Sequence, residues 1–184
     1  ADGTKIKKSK LRGVLSEGMF CSIEELGFTK NQYPEAPDNG IYIFDNNIGV
    51  GLDVKPILEL TEDVIDFEIT SNRPDCLSIY GIAREAAATF DKNLKDILFD
   101  DLDLNLSDKN YDIEIKNKDL CKRYMLQEID NIKIEQSPLW LRHRLISCGI
   151  NPVNNIVDIT NYVMLELGQP LHAFDAEKIS GNQI

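Results

Sequence analysis

The chain is short of the residues that build metal and disulfide frameworks. It has two histidines, His143 and His172, and four cysteines, Cys21, Cys76, Cys121 and Cys148, none of them in a C-x-x-C pair. A zinc site would have to gather ligands from distant segments with no local pairing to favour it. The segment Ala1 to Lys10 is polar and basic, unlike a signal peptide, and the wide cysteine spacing then favours free thiols in a reducing cytosol. No apolar run approaches the roughly 18 residues of a membrane span, so a soluble, cytoplasmic protein with no membrane partner is expected. A Gly-rich phosphate loop is missing, so nucleoside triphosphate chemistry is not indicated, and there is no repeat or low-complexity tract. Bases are in the minority. Twenty Lys and Arg against 31 Asp and Glu leave a net charge of -11 over 184 residues. That balance excludes a protein that grips nucleic acid over its whole surface, because phosphate binding needs Lys and Arg. The 42% hydrophobic content is enough for a core and excludes a disordered chain.

The charge is unevenly spread. Residues 1–12 hold Lys5, Lys7, Lys8, Lys10 and Arg12 against Asp2, a net of +4, which leaves -15 on the rest. Such a start is either a solvated tail or a local phosphate contact on an otherwise acidic protein.

Gly13 and Gly18 bracket short apolar pieces that suit strands joined by turns. Ser22, three residues before Glu25, has the spacing of a capping box for a short helix that stops at Gly27. Residues 31–40 read as a loop. Short strands are expected at Ile41 to Phe44, Ile48 to Leu52, Val64 to Ile69, Tyr111 to Ile115 and Tyr124 to Ile129, with a turn at Asp45 to Asn47. Asp75 is the expected cap of a helix over roughly 75–91, with Leu77, Tyr80, Ala83, Ala87 and Phe90 at helical spacing. Residues 96–108, with five Asp and no base, read as an exposed acidic loop; they lack the Gly and final Glu of an EF-hand. Ser137-Pro138 should open a second helix that buries Trp140, Leu141, Leu145 and Cys148 and stops at Gly149. Asp158 should cap a third, with Ile159, Tyr162, Val163 and Leu167 inward and Gly168 as its stop.

His172 follows that stop and Pro170, on a turn that also carries Gln169 and Asp175. A histidine there can orient water or move a proton near neutral pH, or simply hydrogen-bond backbone to hold the turn. His143, between Arg142 and Arg144, is expected at the surface. Cys76 is near a helix N-terminus, but its apolar neighbours point to burial. Asn154, Asn155, Asp158, Thr160 and Asn161 form a polar cluster that is either a capping network or the floor of a polar pocket.

Asn154-Asn155-Ile156-Val157-Asp158-Ile159-Thr160-Asn161-Tyr162-Val163 running on to Gly168-Gln169-Pro170-Leu171-His172-Ala173-Phe174-Asp175 resembles the signature of the bacterial phenylalanine–tRNA ligase beta-subunit family. Ser71-Asn72-Arg73-Pro74-Asp75-Cys76-Leu77 followed by Gly81-Ile82-Ala83-Arg84-Glu85 resembles the start of that family's editing module. Lys10 to Gly27 resembles the end of its tRNA-binding OB-type domain.

The resemblance implies an α+β fold and a chain that is a piece of a longer subunit. Residues 1–30 would be the end of the OB-type barrel, 31–58 a small connecting unit, and 59–184 the first part of the editing module, with an apolar edge where the remainder packs. The implied reaction is hydrolysis of Tyr-tRNA(Phe). An apolar synthetic pocket rejects an added hydroxyl by only on the order of a hundredfold, so a second site must clear the error. The resemblance puts His172 and Pro170 in that pocket, His172 orienting the water or the terminal ribose. Gln169, Asn161 and Asn151 are further substrate-binding candidates, and Lys7, Lys8, Lys10 and Arg12 are candidates for tRNA contact. Many relatives carry Arg where this chain has Asn151, which cannot supply the charge. No metal ligand is expected within the chain; Mg2+ and ATP would serve the full enzyme elsewhere. Its partners would be tRNA(Phe) and a catalytic alpha subunit in an alpha2beta2 heterotetramer. The alternative is a structural or RNA-binding segment with no catalysis of its own.

Overall fold

The computed structural model describes residue 3 and residues 5–44, 48–97 and 111–184. The expected turn at Asp45 to Asn47 and most of the acidic run lie outside these residues. The chain forms two compact units, one of Ala1–Phe67 with Gln136–Asn154, the other of Glu68–Glu135 with Asn155–Ile184. The secondary structure is mixed, helices with a small sheet, in keeping with the α+β expectation.

In the first unit, β1 (Ser9–Leu11) and β2 (Val14–Ser16) pair antiparallel, with Leu11 opposite Val14 and Ser9 opposite Ser16. The two-residue turn has both residues left-handed, Arg12 at φ 52° and Gly13 at φ 87°. This is the twist a tight hairpin needs, and glycine meets it without strain. The unit's core is Ile23, Phe28, Tyr33, Ala36 and Leu58, flanked by Leu26, Tyr42, Phe44 and Val54. The Ser22–Glu25 pair is reciprocal, as its spacing implies. Ser22 N–H donates to Glu25 Oε2 at 2.8 Å, and Glu25 N–H donates to Ser22 Oγ at 3.3 Å. The segment nevertheless makes only turns, which suits so short a run. The one-turn helix α1 (Val54–Ile57) starts at Asp53, whose carboxylate accepts from Lys55 N–H at 3.0 Å.

The second unit holds a 3-10 turn, Pro74–Leu77, and helix α2 (Ile79–Thr89). The helix expected over 75–91 is therefore broken at Ser78, which is extended and caps α2 in place of Asp75. The break has a packing cause. Asp75's carbonyl oxygen occupies the space a side chain on Gly81 would take, 1.6 Å from an ideal Cβ. Only glycine lets the turn lie directly on the helix.

Helix α3 (Leu139–Ser147), in the first unit, buries Leu141, Arg142, His143 and Leu145. Its N-cap is Pro138 rather than Ser137, with Leu141 N–H and Arg142 N–H donating to the Pro138 carbonyl. Trp140 and Cys148, expected inside, are exposed. Helix α4 (Asn155–Leu167), in the second unit, begins three residues before the expected cap; Asp158 lies in its first turn, wholly buried, and Ile159 is exposed. Both helix stops are left-handed glycines as expected, Gly149 at φ 77° and Gly168 at φ 74°. Helices α2 and α4 pack together.

The expected strands at Ile41 to Phe44, Ile48 to Leu52, Val64 to Ile69 and Tyr124 to Ile129 form no ladder among the described residues. Tyr111 to Ile115 yields one parallel bridge, Asp112 to Gln183. A strand exists only with a partner, and these segments leave Val64, Ile65, Met125 and Ile129 exposed. None of the described helices is long and apolar enough to cross a membrane.

Candidate functional site

Gln169, Pro170, Leu171, His172 and Phe174 follow α4 as an exposed loop of the second unit. Gly168 N–H donates to Met164 O at 2.8 Å and closes the helix. The next anchor is Asp175, whose carboxylate accepts from Glu177 N–H at 3.2 Å and caps the 3-10 turn Ala176–Lys178. Asp175 thus ends the loop. The His172 ring packs on Phe174, with centroids 4.5 Å apart and planes at 59°. Gln169 Nε2 reaches Pro170 O at 3.4 Å.

The structure brings Gln169, Pro170 and His172 into this loop. Asn161, half-buried on α4, is seven residues before Gly168, about 10 Å along the helix. Asn151 belongs to the first unit. Lys10 and Arg12 lie on the hairpin, and Lys7 and Lys8 just before it; Lys8 is paired with Glu17 at 2.7 Å. Of the polar cluster, Asn155 acts at the start of α4. Its side chain donates to Lys133 O at 2.9 Å and accepts from Glu135 N–H at 3.2 Å, while its own N–H donates to Glu135 O.

Two clusters escape the sequence reading. In the second unit, Arg73 Nη2 sits 2.9 Å from Asp75 Oδ2, 2.6 Å from Glu85 Oε2 and 3.2 Å from Cys76 Sγ. Hydrogen bonding from Arg73 holds Asp75 down at about 2 and lowers Glu85. Burial pushes the Cys76 thiol up, which favours the protonated form over the thiolate.

In the first unit, His143 is buried, not at the surface as expected. Its Nε2 contacts the Tyr33 hydroxyl, and Nδ1 is 3.0 Å from Glu59 Oε2 without the alignment of a hydrogen bond. Beside it Arg142 grips Glu35 with Nη2 to Oε1 at 3.1 Å and Nη1 to Oε2 at 3.3 Å, and stacks over the Tyr33 ring. Burial alone would raise Glu35, but hydrogen bonds from Arg142 and Gln136 outweigh it and lower its pKa. Burial pushes the Tyr33 phenol up and keeps it protonated. Tyr33 and Glu35 come from more than a hundred residues away and Glu59 from 84, so no local pattern could signal them.

The loop histidine lies within residues 120–184, which match the model of the B3/4 domain family. The whole chain also has close relatives. It is 51% identical over 183 residues to the phenylalanine–tRNA ligase beta subunit of Clostridium acetobutylicum, covering 99% of this chain and 23% of that protein. It is 49% identical to the beta subunit of Clostridium tetani over 98% of the chain, and 45% identical to that of Fusobacterium nucleatum over 97%. The chain is thus similar, nearly end to end, to a part of the phenylalanine–tRNA ligase beta subunit, and spans under a quarter of the length of these relatives.

Proposed function

We propose that this chain works as part of a phenylalanine–tRNA ligase beta subunit and contributes to hydrolytic editing of Tyr-tRNA(Phe). Residues 1–30 would end an OB-type tRNA-binding barrel, 31–58 connect, and 59–184 open the editing module. The observation that carries this reading is His172, exposed on a loop anchored at Gly168 and Asp175, inside the B3/4 match. Hydrolysis of the aminoacyl ester needs a water delivered to the carbonyl carbon while the terminal ribose leaves as its hydroxyl. His172 orients that water, or the ribose, within about 3 Å, and Pro170 stiffens its mount. Gln169 and Asn161 contact substrate, and Lys7, Lys8, Lys10 and Arg12 contact tRNA. Mg2+ and ATP serve the aminoacylation site, on other parts of a cytoplasmic alpha2beta2 enzyme with its alpha subunit.

The test is His172→Ala in the full-length beta subunit with its alpha partner. Tyr-tRNA(Phe) hydrolysis should fall on the order of tenfold to a thousandfold. Phenylalanine charging and melting temperature should hold. A fall in melting with unchanged hydrolysis per folded molecule would make His172 structural. A second reading, an RNA-binding segment without catalysis, draws on the exposed basic hairpin; it requires that hydrolysis survive the substitution.

A further inference from the structure

The loop that bears His172 starts at Gly168, and what fixes Gly168 fixes where the loop begins. Gly168 abuts the side chain of buried Ser78, so closely that a Cβ on Gly168 would stand 3.2 Å from Ser78 Cβ and 3.4 Å from its Oγ. Ser78 is itself held. Its Oγ accepts from Gly81 N–H at 3.0 Å as the cap of α2. The turn before it lies on Gly81 through the Asp75 carbonyl and is tied to α2 by the Arg73–Glu85 pair at 2.6 Å. Downstream of the seat, Gln169 to Phe174 are exposed until the Asp175 cap.

We propose that Ser78 is a positioning residue for the His172 loop: its side chain is the surface on which Gly168 seats, so α2's N-cap sets the origin of a loop ninety residues later. The proposal rests on the editing reading of His172. It makes Gly168 necessary twice over, for its φ of 74° and for the missing Cβ. The two requirements are separable, because Ser78→Gly removes the opposing atoms while glycine still caps a helix at a cost of a few tenths of a kcal/mol.

The experiment uses the full-length beta subunit with its alpha partner and Tyr-tRNA(Phe) as substrate. Gly168→Ala should lower kcat for hydrolysis about tenfold, KM less, with phenylalanine charging unchanged. Adding Ser78→Gly should restore the part of that loss owed to the Cβ contact, leaving the part owed to the left-handed backbone, which relief of general instability would not do per folded molecule. If Gly168→Ala fails to fold, Ser78→Thr keeps the capping hydroxyl and adds a methyl at the seat, and should slow hydrolysis in the same way. No rescue in the double variant, or full hydrolysis in Gly168→Ala while His172→Ala is slow, overturns the seat alone. Full hydrolysis in His172→Ala overturns the editing reading and the seat with it.

Discussion

Gly81 sits where two tendencies conflict. Alanine in a helix interior is favoured over glycine by about 1 kcal/mol. Here an added Cβ would meet backbone, the Asp75 carbonyl, at 1.6 Å, so the turn would have to lift off α2. Overpacking of this kind costs about 1–3 kcal/mol or more and outweighs the propensity gain. Gly81→Ala should therefore lower the melting temperature, and an unchanged or raised melt would refute the packing. Glu35 offers a pH test. Its folded pKa lies below its ordinary 4.5, so it stabilises the fold above that value, and the contribution is lost as the pH falls through the folded pKa. Glu35→Gln should destabilise the chain at neutral pH and flatten the acid limb of a stability profile. Parallel profiles for the two proteins would contradict the assignment.

At the scale of elements, the proposed tRNA contact is the basic segment of residues 7–12, which runs into the β1–β2 hairpin. Residues 7–12 are all exposed, and the bases follow one another within a few residues. A lone two-stranded hairpin is marginal in water, so it gains by packing against further structure. If Lys7, Lys8, Lys10 and Arg12 each neutralise one phosphate, the log–log salt slope of tRNA(Phe) binding is roughly 3 in magnitude. Reversing all four charges should abolish binding at low salt, as measured by fluorescence anisotropy. Binding that persists through both the reversal and high salt would put the contact elsewhere. The helices α2 and α4 have a different task, since Ser78, the cap of α2, lies against Gly168 at the end of α4.

For the whole molecule, the first unit is discontinuous in sequence. Leu141 and Leu145 of α3, both buried, belong with residues 1–67, as do the partners of Glu35 and Tyr33. Each leucine contributes about 1.5–3 kcal/mol by burial, a large share of a small unit's stability. A chain ending at residue 135 should therefore lose the cooperative melt of the first unit, read by circular dichroism. A sharp transition in that truncated chain would show the unit standing without α3. Exposed apolar residues such as Phe20, Leu120 and Met125 are distributed over both units, and further packing on these surfaces follows from the editing-module proposal.

Signals that act within a few residues were legible in the sequence alone. Gly149 and Gly168 end helices because a left-handed residue there is a local requirement, and Ser22 and Glu25 pair because three residues separate them. The stretch from Asn154 to Asp175 carries the family resemblance because its residue order is itself the signal. Tertiary structure decided the rest. His143 is polar and flanked by arginines, yet it is buried because Tyr33 and Glu59 receive it. Ser78 displaces Asp75 as cap because the turn must lie on Gly81, and the alternating segments stay without ladders because alternation selects a face but cannot supply a partner. Burial and pairing are properties of what a residue meets: the partners of His143 lie far along the chain, and the contact of Asp75 with Gly81, though near in sequence, depends on how the turn folds back on the helix.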